Sequence, residues 1–120
     1  MFEIVCKTET SDISNLVNTN HNSYQRVDRN HKIIERLGGY GNPLCSFIID
    51  KGHPNGNEIH TITDNGIIII QNENTKKFVT SLIARPGQIK RYFPNNVFPA
   101  NILSVINEAK QHQRNGYNNW

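Results

Sequence analysis

Cysteine is scarce: Cys6 and Cys45 are the only two in 120 residues. That excludes a disulfide-stapled scaffold, and no Cys-x-x-Cys or Cys/His pairing offers a zinc site. Both thiols are expected to be reduced, as in a cytosolic protein. The five histidines, His21, His31, His53, His60 and His112, fall at no i, i+4 spacing, so no metal centre and no cofactor is expected. Phosphate-binding glycine loops, dinucleotide fingerprints and nucleophile elbows are also missing. No apolar run reaches the roughly 18 residues of a membrane span, and no stretch reads as a signal peptide. Charge of one sign is scarce too. A net charge of +3 permits an anionic partner without demanding one.

What remains is one modest domain, polar through Asn, Gln, Ser and Thr, with 36% apolar residues that include Ile-rich runs. Three such runs, Glu58–Thr63, Ile67–Gln71 and Lys77–Ala84, are separated by Asp64-Asn65-Gly66 and by Gln71–Thr75. Their β-branched and aromatic content and the turn chemistry between them predict an antiparallel meander. Leu44–Ile49 is expected to add a strand, with Leu44, Ser46 and Ile48 on one face. In the last strand, strict alternation sets Phe78, Thr80, Leu82 and Ala84 opposite Val79, Ser81 and Ile83. Met1–Val5 reads as an edge strand or a packed arm.

Helices are expected at Ile13–Asn20, at about Ser23–Leu37 ending on Gly38-Gly39, at Pro86–Tyr92, and from near Pro99 to about Gln113. The buried stripe of the last is Ile102, Val105, Ile106 and Ala109. The fold class is α+β: N-terminal helices over 1–43, a four-stranded antiparallel sheet with the site over 44–93, and a C-terminal helix and tail over 94–120, in one domain. The helices are expected on one face of the sheet.

Chemistry concentrates on the meander. Glu58 and His60 are two apart and share a strand face. A carboxylate beside an imidazole orients it for proton transfer at neutral pH. The plain alternative is a half-exposed polar strand face. Arg85, Lys90 and Arg91 form a candidate phosphate clamp, since guanidinium groups match phosphate oxygens; the alternative is a solvated basic turn. Gln88 and Tyr92 are four apart on a short helix, each a hydrogen-bonding group, with Tyr92 equally readable as a core aromatic. Thr80 adds a hydroxyl. His53, in a glycine-bearing loop, and His31, on a helix stripe, are candidates for a second proton-transfer group. An exposed loop histidine and a packed core histidine are their respective alternatives. His21 and His112 read as surface residues.

Three stretches carry a family resemblance: Glu58-Ile59-His60, Val79-Thr80-Ser81, and Arg85-Pro86-Gly87-Gln88-Ile89-Lys90-Arg91-Tyr92. Together they resemble the superfamily of small α+β ribonucleases that groups barnase, EndoU-type nucleases, tRNA-cleaving colicins and RelE-type toxins, the BECR fold. The last stretch is also similar to phage-encoded proteins. The resemblance covers roughly Leu44–Phe93. It implies a metal-independent endoribonuclease acting as a toxin or phage effector in a cell's cytoplasm, with RNA, tRNA among the candidates, as substrate. A cognate immunity or antitoxin protein is the implied partner, and no membrane is. The implied reaction is attack of a ribose 2′-hydroxyl on the adjacent phosphate, giving a 2′,3′-cyclic phosphate. Candidate catalytic residues are His60, Glu58, Arg85, Arg91, Tyr92 and His53; candidate substrate-binding residues are Thr80, Gln88, Lys90 and His31. The alternatives are a non-enzymatic phage inhibitor or binding protein that reuses the fold, and a structural phage protein that oligomerises through its sheet.

Overall fold

A computed structural model describes residues 2–6, 28–50, 52, 56–93 and 96–116, with Phe2–Cys6 described at the backbone only. The fold is α+β. Five strands form one antiparallel sheet in sequence order: β1 (Phe2–Cys6), β2 (Pro43–Ile49), β3 (Glu58–Thr63), β4 (Ile67–Asn72) and β5 (Phe78–Ile83). The four expected strands are all present, and the N-terminal run adds the fifth at the edge. Helix α1 spans His31–Arg36, α2 Pro86–Arg91 and α3 Ala100–Arg114. The expected helix Ile13–Asn20 and the start of the next one lie outside the described residues. Within them α1 begins only at His31. Asp28 Oδ1 accepts the Asn30 N–H at 2.9 Å, a local side-chain turn that competes with helix before that point.

The helices do not share one face, as expected, but cover both. On one face Phe47, Ile62, Ile68 and Ile70 pack against Ile89 of α2, Phe93, and Ile102, Val105, Ile106 and Ala109 of α3. On the other, Ile67, Ile69, Phe78 and Ile83 pack against Ile34 of α1. β4 is why both faces need cover. Ile67, Ile68, Ile69 and Ile70 are all buried, so consecutive residues must each find an apolar layer. The first face is called the α2/α3 face below, the second the α1 face.

Two irregularities overturn the strict alternation. The β4–β5 register slips between Ile70 and Gln71, where Ile70 opposes Thr80 but Gln71 opposes Phe78. Val79 is the extra residue. Phe78 therefore joins Ser81 and Ile83 on the α1 face instead of Thr80 and Leu82. A similar slip between Pro43 and Cys45 sends Leu44 to the α2/α3 core, away from Ser46 and Ile48. A bulge inserts one residue and reverses the facing of whatever lies beyond it.

The β3–β4 turn is clamped from both sides. Gly66 holds φ at +77°, its N–H donates to Thr63 O at 3.1 Å, and its carbonyl accepts the Ala84 N–H at 2.9 Å. Asn65 Nδ2 donates to Leu37 O and Gly39 O beyond α1. His112 Nε2–H donates to Asn65 O at 2.9 Å from α3. His112 is thus buried, not a surface residue as its sequence context suggests.

The expectation of two reduced thiols also fails, because Cys45 is disulfide-bonded. Its register partner across the β1–β2 ladder is Cys6, the other cysteine of the chain. Directly opposed antiparallel residues hold their Cα atoms about 4.5–5.5 Å apart, inside the roughly 4.4–6.8 Å that a disulfide spans. Among the described residues, no helix is long and apolar enough to cross a membrane.

Candidate functional site

The α2/α3 face carries the candidate pair. Glu58, His60 and Ile62 alternate along β3, and His60 sits in a cross-strand row with Phe47, Ile70 and Thr80. Pro86 opens α2 in the first-turn position that suits its fixed φ. Buried Ile89 anchors that helix to the core, which brings Tyr92 over the sheet. The Tyr92 ring stacks on Phe47 with centroids 4.8 Å apart and meets His60 edge-on at 5.7 Å.

Glu58, His60 and Tyr92 assemble into a relay. His60 Nε2 lies 3.0 Å from Glu58 Oε1, and His60 Nδ1 lies 2.6 Å from the Tyr92 hydroxyl. A carboxylate can only accept, so Nε2 carries hydrogen toward Glu58. In the neutral ring Nδ1 is then the acceptor and the Tyr92 O–H donates to it. His60 is 8% exposed, whereas the Glu58 side chain keeps 24% of its surface. Burial, then the charge of Glu58, pushes the Tyr92 hydroxyl up to about 12, and Arg91 pulls it partly back. At neutral pH Tyr92 therefore holds its proton as a donor.

The other candidates fall in three places. Thr80 shares the row of His60, with Ile70 of β4 between them. Arg85, Gln88 and Arg91 line a cleft of about 300 Å³ together with Pro86, Gly87 and Gln113 of α3. Glu58, His60 and Tyr92 are not among its lining residues, because α2 turns Ile89 to the core and its arginine outward. Lys90 is exposed on α2 and does not line the cleft. His31 is on α1, which packs on the opposite face, so it does not join His60. His53 and His21 lie outside the described residues.

Sequence reasoning missed a second polar cluster on the α1 face. Asp28, 4% exposed, accepts the Ser81 hydroxyl at 2.8 Å and the Tyr40 hydroxyl. The Tyr40 oxygen lies 3.1 Å from His31 Nδ1, and His31 Nε2 lies 3.0 Å from Glu35 Oε1. Asn30 Nδ2 donates to Ser81 O at 2.7 Å and closes the cluster onto β5. The one sequence signal was Asp28 two residues ahead of Asn30, a turn pattern; Gln113 had none. Among the described residues, no group of three or more His, Cys, Asp or Glu side chains is placed to hold a metal ion.

No family model matches the chain, and no curated protein or solved structure matches it either.

Proposed function

We propose that the protein is an endoribonuclease that works without a metal ion and acts as a toxin or phage effector, with tRNA the first RNA to test. The observation that supports this reading is the Glu58–His60–Tyr92 relay, a proton-transfer chain with a buried imidazole at its centre. In the proposed step the ribose 2′-oxygen attacks phosphorus as its proton passes to Tyr92 and the Tyr92 proton passes to His60 Nδ1. Glu58 then stabilises the imidazolium through Nε2–H. The P–O5′ bond breaks, the 5′-oxygen takes up a proton, and a 2′,3′-cyclic phosphate remains. His53 is the proposed donor to that oxygen. The low exposure of His60 makes Tyr92, half-buried, the group that meets substrate. A cognate immunity protein and a cytoplasmic site of action belong to the same proposal; the disulfide at Cys45 supports an oxidising compartment on the way there.

A second reading, a non-enzymatic binding protein, draws on one specific feature: both ring nitrogens of His60 are already engaged within the protein. Incubation of total tRNA with purified protein in EDTA decides between them. Cleavage to products ending in 2′,3′-cyclic phosphate, lost in Tyr92→Phe and His60→Ala, supports the nuclease. Intact tRNA with every variant folded overturns it.

A further inference from the structure

We propose that the cleft between α2 and α3 is a phosphate-binding subsite for a single-stranded nucleic-acid backbone, separate from the Glu58–His60–Tyr92 relay. The inference rests on the nucleic-acid reading above but moves Arg85 and Arg91 from the reacting phosphate to a neighbouring one.

The lining carries the argument. Among the described residues that form it, the two charged side chains are both guanidinium groups and none is a carboxylate. The two carboxamides supply donors beside them. Gln88 Oε1 accepts the Arg85 N–H at 2.8 Å, which fixes the amide orientation and leaves the Gln88 –NH2 as a donor. Gln113 reaches the cleft from the other wall, on α3. The planar guanidinium fork matches the oxygens of a phosphate bidentately, and the amide donors beside it can complete the shell. A volume of about 300 Å³ accommodates a phosphate with its attached sugar, and lies at the small end of the ~300–1,000 Å³ usual for ligand sites.

Gly87 completes the site and supplies the means to test it. It lines the cleft, and a Cβ built on it meets nothing within 4 Å. The cleft wall is therefore bare backbone at that point, open to a close-approaching ligand. A side chain introduced there projects without striking the protein. Residues other than Gly and Pro are also favoured over Gly within a helix, by up to about 1 kcal/mol.

The experiment measures fluorescence anisotropy of a labelled single-stranded 2′-O-methyl RNA, which lacks the attacking hydroxyl and reports binding alone. Gly87→Glu places a carboxylate between Arg85 and Arg91. Affinity is expected to fall roughly tenfold or more, and the salt dependence to flatten by about 0.7 for each phosphate no longer neutralised. Gln113→Glu, on the other helix, is expected to act in the same direction, and inorganic pyrophosphate to compete with the RNA. Asn107→Glu adds the same charge to an exposed α3 position that does not line the cleft, and is expected to change affinity less than about twofold, because solvent screens it. If Gly87→Glu and Gln113→Glu are folded and bind as tightly as the parent protein, the subsite is refuted, whatever happens to cleavage. If both weaken binding while tRNA stays intact, the subsite stands and the nuclease reading falls.

Discussion

Each face of the sheet holds a histidine against a tyrosine and a carboxylate, yet the two sets are wired in opposite senses. On the α2/α3 face the tyrosine donates to the histidine: the Tyr92 O–H points to His60 Nδ1 and Nε2–H points to Glu58. On the α1 face the Tyr40 proton is spent on Asp28, so its oxygen can only accept from His31 Nδ1, while Nε2 faces Glu35. His60 thus stands between a donor and an acceptor, whereas His31 stands between two acceptors. The carboxylates differ as much. Asp28 is buried and receives the Ser81 and Tyr40 hydroxyls and a backbone N–H, while Glu58 is partly open to water. The first arrangement leaves a proton to move; in the second, Ser81 and Asn30 tie the segment before α1 to β5, and Tyr40 closes onto the same Asp28. Similar residue types are thus arranged for a movable proton on one face and for a structural tie on the other.

The largest expected effect tests that division directly. His60→Ala should lower tRNA cleavage by roughly 10²–10⁴-fold, the usual scale of general acid–base catalysis. His31→Ala should leave the rate per folded molecule within about threefold, since α1 lies across the sheet from the relay. Single-turnover rates in EDTA check both. Equal losses would break the comparison, and a rate lost only in His31→Ala would invert it.

The next effect is on stability. Asp28→Ala strands the Ser81 hydroxyl, the Tyr40 hydroxyl and the Asn30 N–H. Hydrogen bonds to a charged partner contribute about 1.5–3 kcal/mol each, so a total loss of about 3 kcal/mol or more is expected. Glu58→Gln keeps an acceptor for His60 at a site nearer water and should cost less than about 1.5 kcal/mol. Urea denaturation at neutral pH measures the two. If Glu58→Gln proves the more destabilising, the relay is the structural cluster and the assignment of roles is reversed.

Much of this was legible in the chain, and what escaped has a common cause. The meander, the Asp64–Gly66 turn and the stripe Ile102, Val105, Ile106 and Ala109 depend on local period and turn residues. They appear where the sequence sets them. The proximity of Glu58 and His60 follows from period two alone. The bulges at Leu44 and Val79 depend on how one strand registers against another, which neither strand encodes by itself. The same holds for His112, whose burial is decided by the β3–β4 turn that it reaches. Tyr92 was legible as a hydrogen-bonding group but not as His60's partner, because only tertiary packing sets α2 above Phe47. His31 went to the wrong face for a related reason: a helical stripe says that a face is buried, not which layer buries it.

The smallest expected effect sharpens the comparison at alkaline pH. Burial first and Glu58 second raise Tyr92 from the ordinary 10.0 to about 12. Burial first, then the hydrogen bond to Asp28 and the charges of Asp28 and Glu35, raise Tyr40 further still. A folded-state value above the unfolded one means that the native state retains a proton the unfolded chain releases. The stabilisation is therefore complete below about pH 10 and is lost as pH rises through about 12 for Tyr92, with the Tyr40 share extending higher. Tyr92→Phe should remove part of the decline between pH 10 and 12 while costing only about 1 kcal/mol at neutral pH, the value of one hydrogen bond. Tyr40→Phe should cost more at neutral pH, because its hydroxyl serves a buried carboxylate, and should remove the part of the decline that extends to higher pH. Denaturant midpoints across this range report both. If Tyr92→Phe follows the parent curve throughout, its hydroxyl is hydrated rather than held on His60, and the relay lacks its outer member.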